Sequence, residues 1–218
     1  MSRIVLASAI VLSAAACRVT HLPYGGPKEK ILAAATVAGD PIKVAESLKA
    51  GANPNKLVKV NDDQQSPWYL ALHQLRESRP ETIQIVKAML AGGASPRTAW
   101  GTSGRDPSLP KESFWQRFMG PGRRAGTGEE STIRLAMMNP VPEVIRALTT
   151  ASFDPRDGEE ALVDAIERDQ VEIAHIFVEA GVDVNCRPGA NTPLVAAIEA
   201  RDFALMTYLE EHGAREKP

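Results

Sequence analysis

The chain has 218 residues and a formal net charge of −2, and 44% of its residues are hydrophobic. This near-neutral balance argues against a nucleic-acid surface, which would be strongly basic. There are two cysteines, Cys17 and Cys186.

The N-terminus carries one basic residue, Arg3, followed by the apolar run Ile4 to Leu12 and then Ser13-Ala14-Ala15-Ala16-Cys17. A basic head, a short apolar segment and a small-residue cleavage site make a secretory signal peptide over 1–16. The run is too short for a hydrocarbon core that needs about 20 apolar residues. The stretch ending in Cys17 resembles the lipobox of bacterial lipoproteins, which implies a diacylated Cys17 as first mature residue. That motif usually has leucine where Ala14 stands, so the other reading is ordinary cleavage with Cys17 unmodified. Arg18 after the cysteine suggests, by the same resemblance, the outer membrane of a Gram-negative cell. With Cys17 acylated, Cys186 has no disulfide partner. Residues 17–28 read as a linker, and the rest is long enough for one sizeable domain.

From there the chain repeats itself. Five segments share one register: Lys30 to Gly51, Ser66 to Gly93, Ser131 to Ser152, Glu160 to Gly181 and Thr192 to Gly213. In four of them the first and last residues are 21 positions apart, and in the second 27, the six extra residues being expected around Arg76 to Glu81 between its helices. The sixth place is alanine in every unit (Ala35, Ala71, Ala136, Ala165, Ala197), and the third is apolar (Leu32, Trp68, Ile133, Leu162, Leu194). An apolar stripe follows in each second half, as in Ile173, Ile176 and Phe177. Small residues let two antiparallel helices approach, and the third place packs into the pair. Thr192-Pro193 and Ser66-Pro67 are helix starts, because the hydroxyl caps a free N–H and proline needs no partner there. Gly51, Gly93, Gly181 and Gly213 are expected to end second helices in the left-handed conformation.

The segment TPLVAAIEARDFALMTYLEEHGA, with Val182-Asp183-Val184-Asn185 after the unit before it, resembles the ankyrin repeat. The resemblance covers about residues 29–216. It implies an all-α solenoid of about five repeats, near 30–55, 66–98, 131–156, 160–185 and 192–214, each stabilised by its neighbours.

Between units two and three the chain departs from this pattern. Residues 100–128 form a Gly- and Pro-bracketed insert, whose centre, Lys111 to Met119, suits a short amphipathic helix. It holds Trp100, Phe114, Trp115 and Phe118 with Arg105, Arg117, Arg123 and Arg124. Long loops are usually functional or disordered, and aromatic and arginine residues dominate hot spots. Either the insert is a recognition loop, or its aromatic residues cover the array's own core.

The ankyrin family binds partners through finger loops and the exposed face of each first helix. Carried over by place, the candidates are His73 and Gln74, Met138 and Asn139, Glu167 and Arg168, and Glu199, with finger tips at Asn61 to Gln65 and Arg187 to Asn191. Catalytic chemistry is not evident. The four histidines are scattered, and no Cys-x-x-Cys, nucleophile elbow or phosphate loop appears. No cofactor or metal is expected. The pair Glu159-Glu160 suits a helix N-terminus. Cys186 is either an exposed, oxidisable thiol or a small residue filling an alanine place. The chain therefore reads as a non-enzymatic, membrane-anchored module of the cell envelope, monomeric when free. It resembles immunity proteins that neutralise an antibacterial toxin; the alternative is a periplasmic scaffold or accessory protein of an envelope enzyme.

Overall fold

The computed structural model describes residues 24–60, 63–75, 79–101 and 129–215. Among them are ten helices in five antiparallel pairs. The pairs are α1 (Pro27–Val37) with α2 (Pro41–Lys49), α3 (Pro67–Gln74) with α4 (Pro80–Ala91), and α5 (Thr132–Ala136) with α6 (Pro142–Thr150). Then come α7 (Pro155–Glu167) with α8 (Val171–Glu179), and α9 (Pro193–Ala200) with α10 (Phe203–Glu211). First helices stack on first helices, α1 on α3 through to α7 on α9, and α2, α4, α6 and α8 stack behind them. The result is a two-layer solenoid whose single core runs through the whole stack.

Local chemistry sets the helix boundaries. Ser66 Oγ accepts from Tyr69 N at 3.1 Å and Thr192 Oγ1 from Val195 N at 3.3 Å, so each hydroxyl takes one of the donors a helix start leaves open. Asp40, Ser131, Asp154 and Asp202 cap α2, α5, α7 and α10 in the same way. Second helices end on left-handed residues: Gly51, Gly93, Gly181 and Gly213 have φ between 82° and 92°. Ser152 takes this place in repeat three at φ 72°, a conformation that costs a residue with a Cβ about 1 kcal/mol or more.

The repeating alanines and third-place residues form the spine of the core. Each of the five alanines is at most 5% exposed, and Leu32, Trp68, Ile133, Leu162 and Leu194 at most 2%. Val44, Ile85, Val86, Ile145, Leu148, Phe177 and Leu209 come in from the second helices. Any one pair has two apolar sides, so burial is completed only by the next pair.

Strands form where the fingers run. β1 (Val58–Val60) and β2 (Asp63–Gln65) make an antiparallel hairpin with Val58 opposite Gln65. β3 (Thr98–Trp100) and β4 (Glu129–Ser131) pair with Trp100 opposite Glu129. Chain departing toward the insert and chain returning from it therefore lie side by side. A bridge between Gln65 and Gly101, with Ser66 N donating to Trp100 O at 2.7 Å, ties the two hairpins together.

Three local readings differ from the sequence expectation. Helix α7 starts at Pro155, so Glu159 and Glu160 lie beyond its first turn, which holds Asp157 instead. Repeats three and four are thus joined by a tight connection with no finger. Only part of the second unit's extra length lies between helices: α4 has 12 residues against nine in α10, and Glu81 already belongs to its first turn. Finally, the array begins before residue 29. Gly25 N donates to Leu57 O at 2.7 Å, and Glu29 Oε2 accepts from Gly26 N at 2.6 Å at the start of α1.

Candidate partner-binding surface

Two residues along an α-helix turn the side chain by about 200°. The eighth place therefore faces away from the buried alanine at the sixth, and in repeat three it falls on Met138, in the turn just past α5. Val37, His73, Met138, Glu167 and Glu199 occupy it, and all five are exposed. They form a row along the stacked first helices. Its first three members are apolar or aromatic and its last two are acidic. His73 also stacks on Tyr69, with ring centroids 5.9 Å apart. Val37 escaped the sequence reading, although counting eight places from Lys30 finds it.

The ninth place has another task. Gln74 Nε2 donates to Val37 O at 3.3 Å, Asn139 Nδ2 to Leu75 O at 2.8 Å, and Arg168 Nη1 to Met137 O at 3.2 Å. Each acceptor is a carbonyl at the end of the preceding first helix, where no intrahelical donor remains. These three side chains, read from the sequence as contact candidates, are engaged in a ladder joining one repeat to the next. Arg168 also pairs with Asp164 at 2.9 Å. Burial nevertheless raises the Asp164 carboxyl above its ordinary value, against the pull of Arg168.

Asparagines clip the loops on the other side of the stack. Asn55 donates to Gly93 O at 2.8 Å and accepts from Ser95 N at 2.8 Å. Asn185 repeats the arrangement with Gly213 O and Arg215 N, both at 3.0 Å. Arg97 and Arg156 stand at the corresponding places of repeats two and three. The amide clip is therefore confined to the first and last junctions.

Finger side chains are tied to the array: Gln64 Nε2 donates to Tyr24 Oη at 2.8 Å and Asn191 Nδ2 to Glu199 Oε2 at 3.0 Å. Arg187 Nε donates to Ala190 O at 3.1 Å, closing its loop. Trp100 is half-buried in β3. Next to it, a Cβ on Gly101 would sit 2.5 Å from the Tyr69 ring, so only glycine lets the chain pass there. The candidates Phe114, Trp115, Arg117, Phe118, Arg123 and Arg124, and the lipidation candidate Cys17, lie outside the described residues.

Cys186 is buried, and of its two readings the small filler holds. Burial first, then Glu159 and Asp183, push its thiol up to about 12, which removes the thiolate needed for reactivity. Among the described residues no group of three His, Cys, Asp or Glu side chains is placed to hold a metal ion. Also among them, no helix is long and apolar enough to cross a membrane.

Stacked antiparallel pairs, an alanine spine, left-handed second-helix ends and finger hairpins define an ankyrin-type repeat array. No protein-family model and no curated protein matches the chain. Among solved structures, 165 chains do, which marks a widely shared architecture. One is the crystal structure of EF0377, an ankyrin repeat protein, with 18% sequence identity and a TM-score of 0.58. The similarity covers 86% of this chain and 83% of that one. At such identity the likeness is one of fold.

Proposed function

We propose that this chain is a protein-binding module of the cell envelope, held at the membrane by acyl chains on Cys17. Its partner lies along the first-helix row and the fingers. The observation that carries this reading is the eighth-place row. Five successive repeats expose it, while the sixth place beside it is buried and three ninth-place side chains hold the stack together. An exposed row running the length of the stack is suited to an extended contact, and Glu199, its last member, is already oriented by the side chain of Asn191 at 3.0 Å. The row's chemistry asks for a partner that is apolar opposite Val37, His73 and Met138 and basic opposite Glu167 and Glu199. Neutralisation of an antibacterial toxin is the specific role we assign, in a tight one-to-one complex. The insert, with its aromatic and arginine residues, would add to the contact surface.

Affinity capture from the native envelope tests the reading. Wild-type protein is expected to retain one partner stoichiometrically, and the Met138→Asp/Glu167→Lys double variant to lose it about tenfold or more. Equal recovery by both forms would refute the row. Many weak partners with no stoichiometric one would favour the scaffold role. Turnover of a substrate by the purified chain would refute a pure binding module.

A further inference from the structure

The N-terminal end of the array is built unlike its internal junctions. In repeats two to five, each stacked on a repeat before it, the second place is buried: Pro67, Thr132, Ala161 and Pro193. Repeat one has Ile31 there, 60% exposed. At the thirteenth place, Glu143 of repeat three reaches back to Lys87 of repeat two. Repeat one has Ile42, 71% exposed. Ile31 thus stands exposed at a place that is buried wherever a repeat precedes, and Ile42 is a second large, exposed aliphatic side chain, at a place where repeat three has Glu143. Ala34 and Ala38, also exposed, lie between them in sequence. Stacked solenoids need a polar outer face on a terminal repeat for solubility, and Ile31 and Ile42 depart from that pattern among the described residues.

Charge sets the same end apart. Residues 24–60 carry six lysines against three acids, Glu29, Asp40 and Glu46. Lys30 and Lys43, the sequence neighbours of Ile31 and Ile42, are exposed. Residues 153–215 carry fourteen acids against five arginines and no lysine. The array therefore carries net positive charge at one end and strong negative charge at the other. An anionic lipid surface attracts basic side chains near it and buries aliphatic ones at the headgroup boundary. The acidic end would be repelled from the same surface. Chain length agrees: Cys17 lies seven residues before Tyr24, a reach of at most about 25 Å.

We propose that the N-terminal end face, centred on Ile31 and Ile42 and flanked by Lys30 and Lys43, seats repeat one on an anionic phospholipid bilayer. The array then stands end-on, with its acidic repeats projecting away from the membrane. This rests on the Cys17 anchor for its proximity, while the contact itself is made by repeat one.

Lysine footprinting by mass spectrometry tests it on the full protein as processed in the envelope. The protein is reconstituted in vesicles of phosphatidylethanolamine and phosphatidylglycerol and exposed to a water-soluble acetylating reagent. Lys30 and Lys43 are expected to react about fivefold or more slowly than in the Ile31→Ser/Ile42→Ser double variant, with Lys87 unchanged as internal reference. The anchor holds both forms on the vesicle, so the comparison isolates the face. Equal rates in the two forms, with both floating, would overturn the proposal and leave the anchor standing. Protection of Lys30 and Lys43 in lipid-free solution that rises with protein concentration would assign the face to a second copy instead, and also overturn it. Protein that neither carries acyl mass on its N-terminal peptide nor floats with the vesicles would overturn both readings.

Discussion

The side-chain amide of Asn139 donates to the carbonyl of Leu75, 2.8 Å away and 64 residues earlier in the chain. That bond spans the junction between repeats two and three, where the insert interrupts the sequence. It is one rung of the ninth-place ladder, and this junction has no asparagine clip on its finger side. Repeat arrays are stable only as a sum of intrinsic and neighbour terms. Asn139→Ala is therefore expected to cost about 1 kcal/mol and to loosen the coupling of the two halves. Urea unfolding followed by circular dichroism checks this. A lower midpoint with a shallower transition is expected, and an unchanged curve would remove the rung from the account.

Ser152 offers the opposite change. It adopts φ 72° at a place where the other four repeats have glycine. Ser152→Gly relieves the Cβ strain and should raise stability by about 1 kcal/mol, partly offset by the greater freedom of glycine in the unfolded chain. Ser152→Val should lower it. A thermal melt that ranks the three forms otherwise would show that the strain is absorbed elsewhere.

Glu29 makes the stability of repeat one depend on pH. Burial raises its carboxyl pKa, but hydrogen bonds from Asn53 N and Gly26 N, with Lys56 nearby, outweigh burial and leave it below the ordinary 4.5. A carboxylate with a depressed pKa stabilises the fold above its unfolded value, and the contribution disappears as pH falls through the folded one. Wild type should thus exceed Glu29→Gln in stability at pH 7. The difference should shrink from about pH 4.5 downward and vanish in stronger acid. A difference independent of pH would mean that shape, not charge, is what Glu29 supplies.

The insert's aromatic residues can be tested in the same terms. Changing Trp115 and Phe118 to Ala should weaken partner capture while leaving helical content and Tm unchanged. A collapse of both would place these side chains in the core.

Much of this fold was legible because the repeat states it five times. Alanine and third-place residues mark the spine, since a two-helix contact tolerates few side chains there. The start of α7 was hidden for a physical reason. Gly158, a poor helix former, lies inside the helix: a Cβ there would sit 2.3 Å from the ring of Phe153 and 2.9 Å from Val182. The glycine makes room for tertiary packing, and tertiary contact overrides helix propensity. The hairpins were equally obscure, because three-residue strands are too short to show alternation. On the first helices, sequence reasoning named neighbouring eighth- and ninth-place residues without separating their surroundings. His73 and Met138 lie in the exposed row, whereas Gln74, Asn139 and Arg168 hydrogen-bond to the preceding repeat. Only the positions of the end-of-helix carbonyls separate those two roles.

The inner row as the site of partner contact is tested most directly by hydrogen–deuterium exchange on the array alone and with its captured partner. Slowed exchange is expected in the first helices α3, α5 and α7 and in the hairpins at 58–65 and 98–101. The second helices α6, α8 and α10 should be unchanged. Protection confined to those second helices, with the first helices and fingers unaffected, would contradict it.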